Sequence, residues 1–319
     1  MLDEYVLVPD IFDPAAYSNP AFIEICLPHL KEPLLQEALV RDLRDGGWSR
    51  FCLEHSGNLH RLCKEILRKL QSNNRLRRFP PQHAAIPVLP HEWCQEGLSA
   101  HGIEPVTGII AAHATKQQFA HKEVASIEKL TGTTWWQHRS PSVTVDRKTD
   151  GYLQILDRTL MQANSLMFID PNLDPNSYNY REFHRLLTPL APRTVKPRIE
   201  IHRSFCRGDG LARTFPTQTD WKASFTSLSK TLQSLKLMAE VFFWDDFHDR
   251  YLITDIVGVS VPAGFDITGK LGDWSTWGRL GREDKDKIQR LFDPATRAGS
   301  LKWRFSIGEP VCVLADTGP

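Results

Sequence analysis

Phe247-His248-Asp249-Arg250-Tyr251-Leu252-Ile253-Thr254-Asp255 sets a histidine, an arginine two residues on and an aspartate five residues further in an apolar, strand-like run. Side chains alternate with period two along a strand, so the spacing predicts His248 and Arg250 on one face, within reach of a single phosphate. A polar strand face is the alternative use of the same residues. The flanks decide the fold. Upstream, 151–163 carries Leu153, Leu156 and Leu160 at helical spacing, 165–171 reads as a buried strand ending in the acidic Asp170, and 180–190 as a helix. Then come a strand at 198–202, a helix at 221–238, strands at 239–244, 250–254 and 257–261, and a charged helix at 282–292. Alternation of strand with helix predicts an α/β layered sheet with partly parallel strands. In such sheets polar residues at strand ends gather in one crevice, and Asp170, His202 and His248 are the expected members here.

The motif in this setting resembles the phospholipase D superfamily, whose signature is His-x-Lys-x4-Asp; His248, Arg250 and Asp255 match it with Arg in place of Lys. His248-Asp249-Arg250, followed by Gly258-Val259-Ser260-Val261-Pro262-Ala263-Gly264-Phe265-Asp266, is closer still to the C-terminal phospholipase D-like domain of MIT-domain proteins. The likeness covers residues 148–292. It implies a phospholipase D-like layered sheet with flanking helices in the C-terminal half. It also implies His248 as the nucleophile, Arg250 as a fork on two phosphate oxygens, and Asp255 orienting a histidine. Only one such motif is present, so the resemblance implies a homodimer in which a second His248 protonates the leaving oxygen.

Two function classes follow from the resemblance. One is a metal-independent phosphodiesterase, a nuclease acting on DNA or RNA. A place in prokaryotic antiviral defence is expected only because stand-alone nucleases are used there. The other class is an inactive module that binds nucleic acid, phospholipid headgroups or protein partners, as the likeness to MIT-associated domains implies. Two departures favour the second: a guanidinium fork replaces a compact ammonium, and Pro262 and Phe265 stand where the signature has Ser and Asn.

Further substrate contacts are expected from His202 and Arg203 at a strand end, and from Trp277 and Arg279, where an aromatic beside a cation can stack on bases or plug a seam. Arg75, Arg77 and Arg78 continue a basic run begun by Lys64, Arg68 and Lys69, which reads as a solvated face or a phosphate-backbone contact.

The first half predicts a mixed α/β or mainly helical domain over residues 1–145, with the phospholipase D-like domain over 146–319. Its expected elements are a strand at 4–9, a helical stretch at 21–46 divided by Pro28 and Pro33, a helix at 58–70, a Pro-rich connector at 79–90, a strand at 106–112, a helix at 116–130 and a boundary at 131–141. Cys52, His55, His60 and Cys63 have paired spacing that zinc sites use, although Cys63 also suits the apolar stripe of its helix. Asp10, Asp13, Glu24 and Asp42 admit a metal-dependent nuclease of the PIN type, with helix-cap and surface roles as the alternative.

Composition bounds these readings. The 319 residues are 41% hydrophobic, enough for two domains with their own cores. Lys and Arg total 39 against 38 acids, a net charge of +1, so attraction to nucleic acid must come from a local patch. Six scattered cysteines and no signal peptide predict reduced thiols in a cytoplasmic protein. No run approaches the length that spans a bilayer. No cofactor or metal is expected.

Overall fold

The structure is a computed structural model that describes residues 1–55, 57–208, 210–296 and 300–308. It forms two compact units, Met1–Ser140 and Pro141–Pro319, so the boundary falls five residues before the expected one.

The first unit runs β1 (Asp3–Leu7), α1 (Ile23–Gln36), β2 (Ala38–Asp42), α2 (Leu43–Glu54), α3 (Leu62–Ser72), β3 (Leu76–Phe79), α4 (Pro90–Ile103), β4 (Gly108–Ala111), α5 (His113–Gln117), β5 (Val124–Ser126) and α6 (Thr134–Gln137). Its five strands form a parallel sheet in the order β3-β2-β1-β4-β5. A parallel sheet covered on both faces needs strands without alternation, and all five residues of β2, Ala38-Leu39-Val40-Arg41-Asp42, are buried. That explains why β2 reads as part of a helix in sequence: apolar side chains on consecutive positions satisfy either period. Pro28 and Pro33 lie inside α1, which continues through both and buries Leu27, Leu30, Leu34 and Leu35. The helix expected at 116–130 is replaced by α5, β5 and a 3-10 turn at Ile127–Gly132.

Arg41 tolerates burial because Glu4 is buried opposite. Arg41 Nε and Nη2 donate to the two Glu4 carboxylate oxygens at 2.9 and 3.0 Å, and Nη1 donates to Ala100 O and Glu104 O. Arg77 Nη1 joins Glu4 at 3.0 Å and Glu104 at 2.5 Å, so two cations and two anions form one network.

The second unit runs β6 (Ser142–Asp146), α7 (Thr149–Gln162), β7 (Ser165–Ile169), β8 (Arg198–Ser204), α8 (Gln218–Ser224), α9 (Thr226–Ser234), β9 (Ala239–Trp244), β10 (Tyr251–Thr254), β11 (Gly258–Ser260), β12 (Trp274–Arg279), α10 (Arg282–Leu291) and β13 (Leu301–Ile307). Eight strands form one sheet in the order β13-β9-β8-β7-β10-β11-β12-β6. The β7, β8 and β9 strands are parallel, and the others join antiparallel. The α/β expectation holds for both units. The stretch at 180–190 forms 3-10 turns rather than an α-helix, and the single helix expected at 221–238 is two.

Candidate functional site

Asp170 directly follows β7, and β10 runs antiparallel beside that strand with Tyr251 opposite Ile169. The connection from β9 to β10, residues 245–250, is therefore delivered next to Asp170. His248 and Arg250 lie in this loop and not in a strand, since β10 begins at Tyr251. Strand alternation therefore does not pair them. A main-chain contact does: Arg250 Nη1 donates to His248 O at 3.1 Å.

Arg250 is held from behind by Asp170, whose Oδ1 is 3.6 Å from Arg250 Nε. The Asp170 side chain is 0% exposed and accepts hydrogen bonds from Asn172 N at 3.0 Å, Tyr180 Oη at 2.9 Å and Phe265 N at 3.0 Å. Burial raises its pKa, while these donors and the Arg250 charge pull it back. Gly264 has φ +75°, and a Cβ there would stand 2.2 Å from Asp170 Oδ2. Only glycine lets this turn close onto the carboxylate. Beyond it, Asp266 accepts from Arg147 Nη2 at 2.6 and 2.8 Å, and Tyr152 Oη donates to Asp266 O at 2.7 Å.

The His248 side chain is 84% exposed, with Nε2 4.0 Å from Asp246 Oδ2. Asp246 is itself bound by Arg213 Nη2 at 2.6 Å. Phe247 packs edge-on against the buried Phe292, ring centroids 5.0 Å apart, which pins the loop to the core. The arrangement presents an imidazole to solvent beside a guanidinium whose position is fixed by a buried anion.

The other expected site residues lie elsewhere. Asp255 sits at the far end of β10, where its Oδ1 accepts from Asn164 N at 2.9 Å and Ser165 N at 3.3 Å. It fastens the start of β7. His202 is fully buried, its ring stacked beside those of Phe242 and Trp244. Trp244 Nε1 donates to its Nδ1 at 3.0 Å, which leaves the proton on Nε2, 3.1 Å from Glu200 Oε2. Arg203 donates to the carbonyls of Ser204, Leu173, Pro171 and Cys206 and lies over Trp221 at 3.6 Å. Burial lowers its pKa to about 9, which still leaves it charged at neutral pH. Neither residue meets a ligand in this geometry; both build the wall behind the site.

Trp277 is buried against Tyr152 and Phe265, so it plugs the core. Arg279 closes the same strand, half-buried, its N donating to Pro141 O. Arg75 and Arg77 belong to the first unit's interior network, and only Arg78 of that trio is exposed. Tyr180, Asp246 and Arg213 are site residues that sequence spacing does not signal.

Among the described residues no group of three or more His, Cys, Asp or Glu is placed to hold a metal ion. Cys52 and Cys63 are buried in contact, while His55 stacks on Phe51 and His60 pairs with Glu24 at 3.0 Å. Asp10 accepts from Ala112 N, Asp13 from Ala15 N and Asp42 from Ser49 N, so the acids of the PIN-type expectation have separate local roles. The five described cysteines are free thiols, and Cys312 lies outside the described residues. Among the described residues no helix is long and apolar enough to cross a membrane.

The buried imidazole makes the fold sensitive to acid. Burial lowers the His202 pKa against the opposing pull of Glu200. The unfolded chain takes up a proton near the ordinary histidine value of about 6.5 while the native state does not. The unfolded state then binds more protons, so stability falls as pH drops below that value. Urea midpoints from pH 7 down to 5 are expected to fall more steeply for the native sequence than for His202→Gln. Parallel slopes would count against a neutral buried His202.

No family model and no curated protein matches the chain. Among solved structures, TrmBL2, an archaeal chromatin protein described as showing a novel mode of DNA binding, is 12% identical over 76% of this chain and 82% of that chain, with a TM-score of 0.29. Similarity at that level settles neither fold family nor function.

Proposed function

We propose that the second unit is a phospholipase D-like module that engages a phosphodiester of nucleic acid through His248 and Arg250. One observation carries this reading: the exposed His248 is tied by its own carbonyl to Arg250, and Arg250 is held beside the fully buried Asp170. Arg250 Nη2 makes no hydrogen bond among the described residues, which leaves a donor for a phosphate oxygen. The parallel β7-β8-β9 core with the motif loop at the strand ends supports the layered fold that the resemblance implies. Binding of a labelled single-stranded oligonucleotide, followed by fluorescence anisotropy, is expected to weaken with salt and to drop about tenfold or more in Arg250→Ala. Equal affinity in the variant would remove Arg250 from the interface.

The 84% exposure of His248 favours a second reading, in which two copies of the chain face each other as a homodimer. One imidazole then attacks phosphorus and the other protonates the leaving oxygen, giving a nuclease that needs no metal. This reading expects cleavage of DNA or RNA in EDTA that His248→Ala abolishes while the fold persists. Cleavage that survives the substitution sinks it.

A further inference from the structure

The basic run of the first unit divides on folding. Arg75 Nη1 donates to Ala38 O at 3.1 Å and Arg77 is bound by Glu4 and Glu104, so both are committed to the interior. Arg68 and Arg78 instead line a cavity of about 390 Å³ together with Arg50. Among the described residues no side chain of Arg50, Arg68 and Arg78 makes an ion pair or a hydrogen bond. Three guanidinium groups brought to one cavity without a carboxylate within salt-bridge distance repel one another, and an anion offsets that repulsion.

The acids at the cavity balance it only in part: the charges of Arg78 and Arg50 act on Asp42 without pairing with it. Asp42 is only 3% exposed, and its carboxylate is taken up by Ser49 N at 2.9 Å and Ser49 Oγ at 2.7 Å. Asp45 is the other lining acid, against three arginines. The location suits a ligand: Asp42 and Arg78 are paired in register at the carboxyl ends of β2 and β3, the edge of a parallel sheet where ligand crevices form. The chain leaves β2 through Arg44, Asp45 and Gly46, whose φ values are 60°, 53° and 93°. Two non-glycine residues are thereby held in the left-handed region, where L-residues are strained. The turn brings Gly46 to the cavity wall, where a Cβ would lie 3.7 Å from Asp42 Oδ2 and 3.8 Å from Arg78 Nε.

We infer that this cavity binds the phosphate of a nucleotide-sized ester, with Arg50, Arg68 and Arg78 as its cationic rim. The planar forks match phosphate oxygens, and Leu53, Leu67 and Leu76 give an apolar wall for the remainder of the ligand. The volume lies near the lower end of small-molecule pockets, about 300–1,000 Å³, which suits a mononucleotide or a strand end. A free nucleotide and a 5′-phosphorylated strand end offer the same chemistry.

Calorimetric titration of the full chain with pyrophosphate, with AMP, and with one oligonucleotide with and without a 5′-phosphate tests this. The oligonucleotide arms use the Arg250→Ala background to silence the His248 loop. Saturable binding that weakens about tenfold or more in Arg68→Gln and in Arg78→Gln, but not in Arg282→Gln on α10, is expected. A preference for AMP identifies a free nucleotide, and a preference for the 5′-phosphorylated strand identifies a strand end. Absence of saturable binding for every probe, or binding indifferent to Arg68→Gln and Arg78→Gln, overturns the inference. The three arginines are exposed, so the variants are expected to keep the native circular dichroism spectrum.

Discussion

Gly264→Ala is expected to lower the stability of the protein by about 2–5 kcal/mol, a severe loss for a single methyl group. Two costs add. The first is conformational: an L-residue at the φ of +75° adopted by Gly264 costs about 1–2 kcal/mol. The second is steric, because the new methyl would lie 2.2 Å from Asp170 Oδ2 and 3.1 Å from Arg250 Cδ. Asp170 cannot swing aside without breaking its bonds to Asn172, Tyr180 and Phe265. The turn must move instead, and removing the Phe265 N–H from a buried carboxylate costs about 1–3 kcal/mol. Urea unfolding followed by circular dichroism reads the loss, with Gly269→Ala as the control, since nothing lies within 4 Å of a Cβ there. Oligonucleotide binding should fall in Gly264→Ala as well, because Arg250 loses its fixed backing. A Gly264→Ala midpoint equal to that of Gly269→Ala would mean that the turn does not rest on Asp170.

Arg41→Met is expected to destabilise the protein by about 3–5 kcal/mol, because the buried Glu4 carboxylate loses its bidentate arginine and keeps the more exposed Arg77, while the carbonyls of Ala100 and Glu104 lose a donor. Glu4 and Arg41 are both 0% exposed, and Arg41 supplies two of the hydrogen bonds that Glu4 receives. Glu4→Met should also destabilise, because Arg41 and Arg77 then share Glu104 as their carboxylate. The double variant leaves Arg77 paired with Glu104, one cation with one anion, and replaces the other pair by apolar side chains, at the cost of the Arg41 bonds to Ala100 O and Glu104 O. It should therefore be far more stable than the sum of the single losses predicts, since well-packed apolar groups can replace a buried ion pair at little cost. Additive losses across this double-mutant cycle would show that Glu4 and Arg41 do not stabilise each other.

The second unit was largely legible because its strands are short apolar runs separated by helices with clear 3.6-residue spacing, as in 149–162 before 165–169. The first unit was not, because β2 is buried on both faces and its apolar positions do not alternate. Arg41 inside that strand reads as a surface residue until its partner Glu4, 37 positions earlier in sequence, is placed. At the site, the sequence brought His248 and Arg250 together for the wrong reason: the link is a carbonyl bond within a loop, not a shared strand face. Asp255 matched the signature by spacing, yet the four residues of β10 carry it to the opposite end of the strand. Gly264 reaches Asp170 across a long separation and Tyr180 across an irregular ten-residue loop, and no periodic pattern encodes either contact. Which arginines of the basic run are free for a ligand depends on acceptors such as Ala38 O, and main-chain acceptors leave no trace in composition.

The central claim is that His248 and Arg250 meet the same phosphate. Nuclear magnetic resonance of imidazole-labelled protein, titrated with a DNA dinucleotide, tests it most directly. Saturable shifts of the His248 ring resonances are expected, with those of the buried His202 unmoved, and loss of the His248 shifts in Arg250→Ala. His248 resonances that stay in place while the dinucleotide binds, or that shift equally in Arg250→Ala, would contradict it.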